Sequence, residues 1–222
     1  MVENDVVDSL EEIASKYSLA LMDTSFFSES FRNKKNLITV RGIDSVKEKA
    51  NIIEKEHQFR IMLIDYLERG FPYFITYPVS KEYSGIRHYP YKKIIRKMGS
   101  NNRELLNLRR QIRDSEKEKR RLIDIFEEND KILQLSEEEK SLYDVFSEKY
   151  YFFKNVYELS DVDFDLFISG AVLSKARNSS ALASNDFGIV HAWRCFLKKE
   201  NISPNQFGFF VKRGINFYWK LT

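Results

Sequence analysis

Leu19-Ala20-Leu21-Met22-Asp23, four apolar residues stopped abruptly by an acid, is the stretch on which the fold turns. It is too short for a buried helix and lacks the polar alternation of a half-exposed strand. A continuous apolar run of this length fits a strand covered on both faces, as at the centre of a parallel sheet. Parallel strands need long crossover connections, and the flanking sequence supplies helices for them. Upstream, Val6, Val7, Leu10, Ile13 and Ala14 have the spacing of one buried helical face over residues 5–17. Downstream, Ser45 and Glu48 have capping-box spacing, and an apolar face runs from Ile52 to Leu67. A long helix is therefore predicted from Ser45 to a stop at Gly70, with Pro72 just beyond.

Tyr73-Phe74-Ile75-Thr76-Tyr77 reads as a second strand, and Pro78 opens the helical turn that carries Glu82. The same alternation returns after Tyr157. Ser160 caps a helix over 161–176, Ala181-Leu182-Ala183-Ser184 is a short strand ending at Asn185-Asp186, and a helix follows over 189–199. Two aromatic-rich strand candidates, 207–212 and 215–221, flank Arg213-Gly214. Alternating strands and helices predict a three-layer α/β/α domain around a central, mostly parallel sheet.

The segment between these halves has another character. Two charged helical stretches are separated near Gln134 to Ser136, where Ser136 and Glu139 again have capping-box spacing. Residues 113–121 have almost no apolar face. The expectation is an inserted helical hairpin projecting from the main body. The domain organisation is then 1–91 for the first part of the domain, 92–150 for the hairpin and 151–222 for the second part.

Charge is concentrated in that insertion. The whole chain of 222 residues has 36 Lys and Arg against 33 Asp and Glu, a net charge of only +3. Between Arg87 and Arg121, basic residues far outnumber acidic ones, a density that favours a polyanion. Arg87, Lys92, Lys93, Arg96, Lys97, Arg109, Arg110 and Arg113, with Lys81 nearer the strand ends, are the candidate phosphate contacts. The competing reading is a solvated pair of charged helices.

Composition excludes several classes. A hydrophobic fraction of 43%, with 18 Phe and 12 Tyr, supports a packed core rather than a disordered tail. No run approaches the ~20 apolar residues of a spanning helix, and the acidic start lacks the pattern of a signal peptide. The single cysteine, Cys195, builds neither a disulfide nor a thiolate zinc site, and it reads as a buried small side chain. His57, His88 and His191 are too dispersed for a histidine-rich metal centre, and His191 reads as a packing residue. Tyr150-Tyr151-Phe152-Phe153 reads as an apolar wall, with base stacking as the alternative. The expectation is a soluble, cytoplasmic protein with no membrane association.

The acids carry the chemistry. Asp23 and Asp186 end strands, Asp163 stands in the first turn of a helix, and Glu82 lies one turn beyond the second strand. In an open parallel sheet these positions can converge on the crevice beyond the carboxyl ends of the strands. Oxygen donors of this kind suit a hard divalent cation, and without one their mutual repulsion raises some of the pKa values. Each acid alone also has an ordinary reading as a turn, cap or solvated helix residue.

Four passages taken in order resemble the PIN-domain nucleases. Leu19 to Phe27 resembles their opening strand, in which an Asp is followed by a small hydroxyl residue. Phe74 to Glu82 resembles their second strand and the helix bearing the second acid. Leu159-Ser160-Asp161-Val162-Asp163 matches the entry to the helix with the third acid, and Ala181 to Phe187 resembles the strand that ends in the fourth. The resemblance covers roughly residues 17–90 and 157–222. It implies Asp23, Glu82, Asp163 and Asp186 as catalytic, metal-binding acids, with Asp165 as an additional candidate ligand. Ser25, Ser184 and Asn185 would be auxiliary. It further implies Mg²⁺ or Mn²⁺ as cofactor and metal-dependent hydrolysis of RNA, an endoribonuclease activity leaving 5′-phosphate and 3′-hydroxyl ends. A homodimer, a protein partner, a toxin paired with an antitoxin, and a non-catalytic PIN-like RNA- or protein-binding module are the alternatives that the residues leave open.

Overall fold

The fold is that of a computed structural model, which describes residues 10–27, 43–85, 103–177, 180–184, 186–202 and 207–210. It is an α/β arrangement, mostly helical, with a small parallel sheet. The elements in chain order are α1 (Leu10–Lys16), β1 (Leu19–Met22), α2 (Thr24–Phe27), α3 (Ile43–Glu68), β2 (Tyr73–Phe74) and α4 (Tyr77–Gly85). They continue with α5 (Arg103–Glu128), α6 (Glu137–Val156), α7 (Asp161–Ala176), β3 (Ser180–Ala183), α8 (Phe187–Glu200) and β4 (Phe207–Phe210). Among the described residues, no helix is long and apolar enough to cross a membrane.

The strands lie in the order β2-β1-β3-β4, and every pairing is parallel. β1 is central: Leu19 to Met22 pair residue by residue with Ser180 to Ala183 on one side, while Ala20 and Leu21 pair with Tyr73 and Phe74 on the other. All four residues of β1 are buried, as an unbroken apolar run requires when both faces are covered. The second strand is shorter than the sequence suggests. β2 ends at Phe74, and Ile75 instead forms an isolated parallel bridge with Ile132. Thr76 then turns the chain into α4, its hydroxyl accepting from the Val79 amide at 3.4 Å.

Helix boundaries follow local chemistry. α3 begins at Ile43, so Ser45 lies in its first turn rather than capping it. Its end is as expected: Gly70 adopts φ +82°, and Gly70 N and Phe71 N donate at 3.0 Å to Leu67 O and Tyr66 O, a Schellman motif. α6 and α7 both start in reciprocal capping boxes, Ser136 with Glu139 and Ser160 with Asp163. Residues 5–9 of the first predicted helix, 211–212 of the first aromatic-rich strand candidate and all of the second, 215–221, lie outside the described residues.

The expected projecting hairpin is corrected by packing. α5 lies along α3 and α6 lies along α7, so each helix of the insertion has its own partner on the main body. The reason lies in the residues between 113 and 126. Ser115, Lys119, Leu122 and Phe126, spaced at four, three and four, form a buried seam. Arg60 of α3, also buried, donates to the Ser115 hydroxyl, and the Lys119 ammonium sits 5.1 Å from the centre of the Tyr83 ring. A charged helix can thus bury a face that an apolar count does not reveal.

On the other side, Phe146, Tyr150 and Phe153 of α6 join Phe167 of α7 and Trp193 and Phe196 of α8 in one aromatic cluster. Edge-on contacts such as Phe146–Phe196 at 5.7 Å and Tyr150–Phe196 at 5.4 Å hold it together. The four-aromatic run therefore splits: Tyr150 and Phe153 are core, whereas Tyr151 and Phe152 are exposed. At the far end of α8, Glu200 ties three helices together. Burial alone would raise its pKa, but Lys149, Tyr150 and Lys175 hold it down to about 2.

Candidate active site

All strands run the same way, so the residues that follow β1, β2 and β3 emerge at one edge of the sheet. β1 is followed in sequence by β2 on one flank, and the chain later returns to place β3 on the other. The strand order therefore reverses between β1 and β3, the usual location of a ligand crevice in such sheets. Asp23 follows β1 and Ser184 follows β3, and the Asp23 amide donates to Ala183 O at 2.9 Å across this boundary.

Asp23 is the centre of the site, only 2% exposed. Its Oδ2 accepts from the hydroxyls of Ser184, at 2.6 Å, and of Ser25. Burial pushes its pKa up to about 7. The two hydroxyls oppose that rise, and the nearby carboxylates of Asp163 and Asp186 add to it by repulsion. Asp163, on α7, is also raised, first by burial and further by Asp186, against the stabilising bonds of its capping box. Three acids from β1, α7 and the β3–α8 junction thus lie within electrostatic reach of one another.

Local structure fixes each of them. Asp186 caps α8, its Oδ1 accepting from Gly188 N at 2.7 Å and Ile189 N at 3.2 Å, while its own amide donates to the Ser184 hydroxyl at 3.0 Å. Asp163 Oδ2 accepts from Ser160 N at 3.1 Å. Ser184 therefore bridges the two strand-end acids, accepting from the Asp186 backbone and donating to the Asp23 side chain. Glu82 reaches the same edge by another route: the Thr24 hydroxyl, next to Asp23, donates to its Oε2 at 2.7 Å. Thr24 was not singled out by the sequence, although its place directly after Asp23 was a usable signal.

Asp165 lies elsewhere. Two positions along a helix rotate a side chain by about 200°, and Asp165 accepts from the Tyr143 hydroxyl at 2.8 Å on the α6 side. Burial raises its pKa, opposed by the hydroxyls of Tyr143 and Thr76. Cys195 is half-buried, with its Sγ accepting from the Tyr157 hydroxyl at 2.8 Å, and His191 is exposed. Asn185, Arg87, Lys92, Lys93, Arg96 and Lys97 lie outside the described residues. Arg109 is half-buried on α5, whereas Lys81, Arg110 and Arg113 are exposed.

Carboxylate and hydroxyl oxygens are the donor type that a hard cation takes. Their spacing here is more open than a coordination sphere: among the described residues, no three His, Cys, Asp or Glu side chains are gathered as a metal-binding group. The bonds above engage Oδ2 of Asp23, Oδ2 of Asp163 and Oδ1 of Asp186, one oxygen of each carboxylate. No family model, curated protein or solved structure matches the chain.

Proposed function

We propose that this chain is a metal-dependent ribonuclease of the PIN type, a three-layer α/β/α domain that hydrolyses RNA phosphodiester bonds. The observation that carries the reading is the position of Asp23 and Asp186 on either side of the β1/β3 switch point, with Asp163 in electrostatic reach of both. Asp23, Glu82, Asp163 and Asp186 would hold Mg²⁺ or Mn²⁺, which when bound supplies water activation and charge neutralisation for phosphodiester hydrolysis.

The chain's own residues do the positioning. Ser25 and Ser184 hold the Asp23 carboxylate in one orientation, and the amides that open α8 do the same for Asp186. Thr24 tethers Glu82 to the β1 end of the crevice. With a pKa near 7, Asp23 holds a proton over much of the acidic range and ionises as the pH reaches neutrality. Exposed Arg110, Arg113, Lys117 and Arg120 follow three- and four-residue spacing along the outer face of α5, with exposed Arg103 two turns before Arg110. That stripe fits a polyanionic backbone.

The test is cleavage of labelled single-stranded RNA and matched DNA in Mn²⁺, Mg²⁺ and EDTA, with wild type beside Asp23→Asn and Asp186→Asn. RNA cutting in the presence of metal is expected, reduced by about 100-fold or more in each variant. Cutting that survives both substitutions sinks the proposal. RNA that is bound and never cut moves the chain to the non-catalytic binding-module reading.

A further inference from the structure

α8 starts at the crevice, with Asp186 as its N-cap, and its residues divide into two faces. Ile189, Val190, Ala192, Trp193, Phe196 and Leu197 are buried. Phe187, His191, Arg194 and Lys198 are exposed and follow one another at four, three and four residues. That spacing holds them within an arc of about 60° on the outer side of the helix. His191, expected from the sequence to pack, is one of them. Lys199 flanks the row, its ammonium 4.5 Å from the centre of the exposed Phe152 ring on α6. Glu200, the only acid in α8, is tied to Lys149 and Lys175 at the far end. The outer face of α8 is therefore cationic along its length and begins with an aromatic ring, Phe187, that is 64% exposed directly beside Asp186. The stripe on α5 is different in kind, since it carries charge and no aromatic side chain.

We propose that this face of α8 is a track for single-stranded nucleic acid leading away from the acid crevice. Phe187 stacks on the base next to the scissile phosphate, and Arg194 and Lys198 meet phosphates farther along. His191, between them, offers ring nitrogens to phosphate or sugar oxygens. The track's direction rests on the nuclease reading, because the acids around Asp23 are what make α8 lead away from a reacting bond. From Phe187 to Lys198 the helix rises about 17 Å, room for about five nucleotides at stacked spacing. Any base can stack on an aromatic ring, so the contact tolerates sequence but requires an unpaired base, which a duplex does not offer. An acidic peptide satisfies Arg194 and Lys198 as well, yet it has no need of a flat ring beside them. A lipid surface requires an apolar face larger than one side chain.

Fluorescence anisotropy with the full chain in EDTA, where metal-dependent cutting is stopped, tests this at several salt concentrations. The probes are a labelled single-stranded RNA of about 12 nucleotides, an abasic strand of the same length and an RNA duplex. The proteins are wild type, Phe187→Leu and the double variant Arg194→Gln with Lys198→Gln, with circular dichroism to verify folding. Phe187→Leu is expected to weaken the single-stranded RNA about fivefold or more, leaving its salt slope and the affinities of the abasic strand and the duplex unchanged. The double variant is expected to reduce the slope of log K against log salt by about 1.4 for the RNA and the abasic strand alike. No binding of the RNA to wild type, equal losses of RNA and abasic strand in Phe187→Leu, or an unchanged slope in the double variant overturns the inference. Polyglutamate bound as tightly as the RNA, and weakened by the double variant alone, assigns the face to an acidic protein and overturns it as well. Cleavage in Mn²⁺ judges the nuclease reading separately. Cutting by wild type with binding unchanged in both α8 variants ends the track and leaves the nuclease, whereas α8-dependent binding without cutting ends the nuclease and leaves the track as a single-strand binding face.

Discussion

Asp23 concentrates the tension between stability and function in one side chain. Its carboxyl is buried, and in the folded protein it binds its proton more tightly than in the unfolded chain, with a pKa of about 7 against the 3.8 of an ordinary aspartate. As pH rises from about 4 to 7, the unfolded chain ionises first, so stability from this group falls with pH and levels off above 7. Asp23→Asn removes that dependence. Denaturant melts at pH 8 are expected to show the variant more stable by about 1–3 kcal/mol, with the difference vanishing toward pH 4. A variant less stable at pH 8 would count against the burial argument. Gly188 carries a different constraint. A Cβ there would lie 2.6 Å from Tyr157 O and 2.9 Å from Asp186 Oδ1. Gly188→Ala should therefore cost about 1–3 kcal/mol and displace the Asp186 cap, read as a lower melting temperature. An unchanged melting temperature would mean that the Tyr157 turn yields freely.

Among the elements, α5 divides its charges between two tasks. Lys119 and Ser115 face inward against Arg60 and Tyr83, and Arg121 pairs with Glu68 of α3 at 3.2 Å. The outer stripe, from Arg103 through Arg110, Arg113 and Lys117 to Arg120, remains exposed. Paired replacement of Arg110 and Arg113 by Ala should leave folding unchanged, because neither side chain is buried. It should weaken RNA binding and reduce the slope of log K against log salt by about 1.4, two phosphate contacts on a single strand. Filter binding at several salt concentrations measures it, and an unchanged slope would remove this face from the RNA path. α7 shows the same economy, with Asp163 turned toward the strand-end acids and Asp165, two residues on, toward a separate cavity.

At the scale of the whole molecule, the parallel sheet collects residues that are far apart in the chain. Ser184 and Asp23 bond across 161 positions, and Thr24 and Glu82 across 58. A cation that enters this group stabilises the folded state alone, since the unfolded chain does not assemble it. Millimolar Mn²⁺ should accordingly raise the melting temperature of wild type by a few degrees, about 1 kcal/mol or more, and leave Asp23→Asn unmoved. Equal shifts in both proteins would place the cation away from Asp23.

The chain by itself determined the elements whose physics is local. The apolar run before Asp23 fitted a covered strand, Gly70 marked the end of its helix, and Ser136 and Ser160 announced their capping boxes through residues three positions on. It also marked Asp23, Glu82, Asp163 and Asp186, because acids at strand and helix boundaries stand out against their neighbours. Tertiary structure alone decided how those acids are held: the hydroxyls of Ser184 and Thr24 meet carboxylates that no sequence window contains together. It likewise decided that α5 lies on α3 instead of projecting, since its buried face is built from Arg60, Ser115 and Lys119, whose polarity hides burial from any apolar pattern. The opposite fates of Asp163 and Asp165 were of this second kind. Helical rotation separates them, but only the packed neighbours say what each side faces.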